Sequence, residues 1–115
     1  MDLKIKLPKP HPIDMFIVPH DDIPAEWILG RLDKDGKVIE HEAEITIDDK
    51  KCIVKLKKYI KQSFELLWMV EVLFMVYYGL DITAMKKVLV AKYGNKINNE
   101  TLFAVVVFEL IEIGS

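Results

Sequence analysis

The sequence predicts an α+β domain: a three-stranded antiparallel β-meander, extendable to four strands, with an N-terminal extended arm, packed against two or three C-terminal α-helices. Three observations lead there. Residues 26–57 alternate polar with apolar at period two, residues 58–93 change to helical spacing stopped by glycines, and all five prolines crowd between Pro8 and Pro24. At 115 residues the chain makes a single domain, 1–115, comprising the arm 1–25, the meander 26–57 and a helical part 58–113.

Prolines withhold backbone donors and push their neighbours towards extended conformations, so the arm is not helical. Ile13 to Val18 predicts a short strand between prolines, and Leu3, Ile5 and Leu7 alternate with Lys4 and Lys6 as a strand does. In the meander, Asp33-Lys34-Asp35-Gly36 is a hairpin turn that sets residues 26–32 antiparallel to 38–45. Ile39, His41, Ala43, Ile45 and Ile47 share one face; Cys52, Val54 and Leu56 continue it in the next strand. A loop over 48–51 pairs Ile47 with Cys52, Ile45 with Val54 and Ala43 with Leu56, and places Glu44 and Glu42 opposite Lys55 and Lys57.

From Lys58 the polar positions Lys58, Lys61, Gln62 and Glu65 mark one helical face that becomes apolar through Trp68, Val72 and Met75 before Gly79 stops it. Asp81 or Thr83 caps a second helix running to Tyr93. For 100–113, an Asn cap, Glu109 and Glu112 three apart and Gly114 favour helix, whereas Val105-Val106-Val107-Phe108 favours strand; helix is the expectation.

Charge and composition narrow the function. Net charge is −2, and Arg31 is the one arginine beside fifteen lysines, which disfavours dedicated nucleic-acid binding. The densest basic stretch, Lys50 to Lys61 with Tyr59 interleaved, reads as a charge-paired sheet face. A single Cys52 and a start, MDLKIKLPKP, without an apolar core lead to a cytoplasmic expectation. Phosphate-loop, dinucleotide, nucleophile-elbow and zinc-protease strings are absent, so an enzyme is disfavoured and no cofactor is implied.

The stretch Arg31 to Glu42 matches parts of a calcium loop, but Arg31 stands where the first carboxylate belongs. His20-Asp21-Asp22, with His11 and Cys52 elsewhere, lacks the spacing of a metal site, so no metal or catalytic residues are assigned. His41 and Glu71 are the candidate buried polar site, because each lies among apolar positions and needs a partner there.

Apolar residues make up 51% of the chain and concentrate in 64–80 and 102–113. Glu65 and Glu71 interrupt the first run, which disfavours a membrane span. The surplus instead fits a noncatalytic protein-protein interaction or assembly protein, a homo-oligomer or subunit of a larger complex, as small phage or viral accessory proteins are. Its contact residues are Trp27 and Leu29 on the sheet and Trp68, Met75 and Tyr78 on the helix. The competing expectation is a small enzyme or ligand-binding domain with a pocket between sheet and helices near Glu71 and His41; the sequence names no small molecule.

Overall fold

The computed structural model describes residues 2–3, 13–28, 30–39, 42–47 and 49–113. The fold is α+β. Strands β1 (Asp2–Leu3), β2 (Ile13–Pro19), β3 (Glu42–Ile47), β4 (Lys50–Ser63) and β5 (Leu102–Ile113) form one sheet in the order β1-β3-β4-β5-β2. All neighbours are antiparallel except β1, whose two residues lie parallel to Thr46 and Ile47 at the edge of β3. Helix α1 (Ala25–Ile28) follows β2, whereas a 3-10 segment (Phe64–Val70), α2 (Glu71–Tyr78) and α3 (Ile82–Tyr93) connect β4 to β5.

Strand β5, between β4 and edge strand β2, is buried without a break from Phe103 to Phe108. Phe103, Val105 and Val107 face the helical layer and pack with Met15, Ile17, Leu67, Phe74, Met85 and Leu89. Ala104, Val106 and Phe108 face the other way, into a core made with Phe16, Ile45, Cys52, Val54, Leu56 and Trp27. A strand covered on both faces has no polar side to display, so its sequence reads as a continuous apolar run. The expected helix over 100–113 is therefore corrected: β-branched valines at consecutive positions suit a doubly buried strand.

Two further boundaries move. Residues 58–63, expected to begin a helix, continue β4 to Ser63. The register of β4 against β5 slips between Leu56 and Lys58, a bulge that puts Leu56 and Tyr59 on one face and Ile60 on the other. One inserted residue breaks the period-two phase and imitates helical spacing in the sequence. The helices consequently lie between β4 and β5, and 58–113 is not a purely helical part.

The expected first meander strand, 26–32, is instead α1, Gly30 at φ +80° and a turn. The Asp-Gly turn does form: the Asp33 carboxylate accepts from the Asp35 and Lys37 amides at 2.8 and 2.9 Å, and Gly36 takes φ +82°. Among the described residues its arms are bridged at Leu32 and Val38. Pro24 carbonyl accepts from the Trp27 and Ile28 amides, turning the segment over the sheet so that Trp27 reaches the core.

The β3–β4 hairpin is tighter than expected by two residues. Ile45 pairs with Cys52, Ala43 with Val54 and Ile47 with Lys50, leaving a two-residue connection in which Asp49 adopts φ +65°. A shift of two preserves every face, which is why the apolar alternation predicted the buried side correctly but not the partners. Glu42 lies opposite Lys55, Glu44 opposite Ile53, and Lys57 makes its ion pair with Glu109 of β5 at 3.4 Å.

Three local expectations hold. Ile13 to Val18 is strand, Gly79 ends α2 at φ +67°, and the Asp81 carboxylate caps α3 by accepting from the Ala84 amide at 2.8 Å. Residues 5 and 7 of the expected N-terminal strand lie outside the described residues. Because Phe103 is fully buried against the rings of Phe64 and Tyr93, Phe103→Ala is expected to destabilise the domain by about 3–5 kcal/mol, read as a lower urea midpoint.

Candidate interaction surface

The helical layer has an inner face and an outer one. Leu67, Phe74, Met85 and Leu89 enter the core, which consumes one side of each segment. Leu66, Met69, Val72 and Val76 recur at three- and four-residue intervals on the other side, joined by Trp68 and Met75. Trp68 is 58% exposed, Met75 56% and Val76 66%. No lysine or arginine interrupts Phe64–Tyr78; its charges are Glu65 and Glu71. A segment apolar all round buries only the side that meets the sheet, so the other side becomes a continuous exposed stripe.

Three of the sequence-derived contact residues, Trp68, Met75 and Tyr78, lie on this surface. Tyr78 is anchored there: the residue is partly exposed while its hydroxyl donates to the Met15 carbonyl of edge strand β2 at 2.6 Å. Burial of that hydroxyl, with the Asp14 and Tyr93 charges nearby, pushes its ionisation well above the ordinary tyrosine value. The Asp14 carboxylate accepts from the Met15 amide at 2.7 Å, so side chains occupy both backbone groups of Met15. Burial raises Asp14 above the usual aspartate range despite that hydrogen bond. Occupied edge groups resist pairing with another strand.

Trp27 does not belong to the surface, contrary to expectation. It is 8% exposed, its indole donates to the Glu44 carbonyl at 3.3 Å, and the Arg31 guanidinium stacks over it at 5.2 Å while donating to its carbonyl. Having formed α1 rather than a strand, the segment turns its largest side chain inward. Leu29 and His41 lie outside the described residues.

Glu71 is half-buried at the start of α2, and its carboxylate accepts from the Ile82 amide at 2.7 Å. Together with Asp81 it places two carboxylates at the N-terminus of α3, where unpaired amides and the helix dipole favour negative charge. That contact gives Glu71 a capping task across the α2–α3 turn.

A second feature was not singled out from the sequence: a cleft of about 700 Å³ between the 28–36 turn and the far end of β4. At its floor the Tyr59 hydroxyl and His20 Nδ1 are hydrogen-bonded at 3.0 Å, with the rings edge-on. Burial pushes Tyr59 up to about 12. Burial first, then the Lys61 charge, lowers His20 below its ordinary value, partly opposed by Asp21.

Among the described residues no group of three or more His, Cys, Asp or Glu is placed to hold a metal ion. No single helix among them is long and apolar enough to cross a membrane; Phe64–Tyr78 and Ile82–Lys96 reach that length and composition only jointly and are bent by 85°. The fold and surface together define a sheet-and-helix domain with an exposed apolar helical stripe. No protein-family model, curated protein or solved structure matches the chain.

Glu71→Ala is expected to lower stability by about 1 kcal/mol through loss of the cap, with Glu71→Gln losing less, measured by urea unfolding. For His20, the folded state binds its proton less tightly than the unfolded state, so its contribution is complete above the unfolded value of 6.5 and declines as pH falls below it. His20→Gln should therefore narrow the difference in urea midpoint between about pH 7.5 and about pH 5.5.

Proposed function

We propose that the protein is a noncatalytic assembly protein that buries its helical stripe against a second copy of itself. The observation that carries this reading is the stripe of Trp68, Met69, Val72, Met75 and Val76, apolar and outward-facing on a domain whose core is already complete without it. Its side chains offer on the order of several hundred Å², comparable with the roughly 800 Å² per partner of a standard interface once the polar rim is included.

Charge favours a second copy over an unrelated acidic or basic surface. Glu65 and Glu71 accompany the stripe, whereas Lys87 and Lys92 are exposed on the adjoining α3. In a two-fold contact each copy presents both signs, so carboxylates of one meet lysines of the other reciprocally. Trp68 and Met75 suit the centre of such a contact, where large or adaptable apolar groups concentrate binding energy.

Light-scattering mass across a concentration series should show a dimer that dissociates on dilution. Val72→Glu, at an exposed position, should shift the equilibrium to monomer with an unchanged far-ultraviolet circular dichroism spectrum; a monomer at every concentration overturns the proposal.

A further inference from the structure

Strand β2 forms one border of the sheet, and among the described residues no strand lies on its far side. The phase of the hydrogen bonds shows which of its backbone groups point outward. The Phe64 amide donates to the Thr101 carbonyl at 2.8 Å, so Gln62, Ile60 and Lys58 exchange bonds with Phe103, Val105 and Val107 opposite them in β5. Ala104, Val106 and Phe108 then turn their backbone groups to Val18, Phe16 and Asp14, which leaves those of Ile13, Met15 and Ile17 on the outer edge. The contacts of Met15 agree, because its amide and carbonyl both meet side chains.

This edge has the composition of a pairing strand, since Met15-Phe16-Ile17-Val18 is uncharged and rich in aromatic and β-branched side chains. It is also self-complementary. Antiparallel pairing with β2 of a second copy about a two-fold axis at Met15 sets Met15 against itself and Ile13 against Ile17, using every outward amide and carbonyl of these residues in both copies. Moving the axis to Phe16 sets Ile13 against Pro19, which has no amide to donate. Met15 is where the edge is closed. The Tyr78 hydroxyl, 2.6 Å from the Met15 carbonyl, stands where the amide of a strand added about 4.8 Å away would stand. The Asp14 carboxylate, 2.7 Å from the Met15 amide, takes the place of that strand's carbonyl. Tyr78 is the last residue of α2, so displacement of α2 from the sheet withdraws the hydroxyl from the edge.

We propose that Tyr78 and Asp14 form an autoinhibitory lock on a second self-association surface, the β2 edge, which on release pairs antiparallel with β2 of another copy about Met15 and joins the two sheets. Occupying the central residue denies a partner strand the middle of the ladder and leaves Ile13 and Ile17 as separate, weak contacts. This surface is distinct from the helical stripe, and its closure does not depend on the stripe joining two copies.

The test is made in the Val72→Glu chain, so that association through the stripe does not contribute. Asp14→Ala with Tyr78→Phe frees both backbone groups of Met15 while keeping the aromatic ring, and should yield a dimer by light scattering, at least about tenfold tighter than any formed with the lock intact. Hydrogen exchange at the Ile13, Met15 and Ile17 amides should slow as concentration rises. Adding Ile13→Pro, which removes an outward donor at the first residue of the strand, should weaken that dimer about tenfold. If the double variant loses its circular dichroism signal, Tyr78→Phe alone is read in the same way, because the short Asp14 side chain can rotate off the amide once the hydroxyl is gone. A folded unlocked chain that stays monomeric, or a dimer indifferent to Ile13→Pro, overturns the lock.

Discussion

Everything in this fold is arranged around a strand that cannot face water. From Phe103 to Phe108, β5 presents bulky side chains to both sides, so two separate layers have to cover it. The helical layer supplies Phe74, Met85 and Leu89; on the other side Ile23 and Trp27 pack onto the face that β5 shares with β2, β3 and β4. Each fully buried Val, Leu or Phe contributes roughly 1.5–3 kcal/mol, so the double-faced core concentrates stabilisation in a few central residues. It also explains the chain path: the helices leave β4 at Ser63 and return at Leu102, which brings them across the face of the strand they cover.

Coverage ends where it is no longer needed, and both the stripe and the Tyr59 cleft lie at such limits. The helical layer needs one side of Phe64–Tyr78 to close the core, leaving the opposite apolar side exposed. Likewise the described residues of β3 pair with β4 from Lys50 to Lys55, and beyond the bulge β4 borders the cleft beside Tyr59. The bulge moves Tyr59 onto the same face as Leu56, where it meets His20 and becomes the floor of that cleft.

Much of the local structure was legible because it depends on neighbouring residues. Gly79 and Asp81 mark the α2–α3 boundary through a left-handed stop and a carboxylate cap, while Asp33 to Gly36 defines its turn with its own hydrogen bonds. Trp68, Met75 and Tyr78 could be identified as surface candidates because one helix face cannot bury a sequence apolar all round. Trp27 was misleading: whether it points inward depends on α1 replacing a strand. The cleft beside Tyr59 left no string to read, since its lining comes from separate segments around His20, Ile28 to Gly36 and Tyr59 to Lys61.

The sequence by itself determined the α+β class, the buried side of the β3–β4 hairpin and the caps that divide the helices, because each is encoded by local periodicity or by a side chain's reach to nearby backbone. Only the tertiary structure decided that 102–113 is an interior strand, covered on both faces, and that β4 passes through its bulge to Ser63. A doubly buried strand and a buried helix have the same apolar signature, and a bulge erases the alternation that marks a strand; contacts from both sides of the sheet resolve each case.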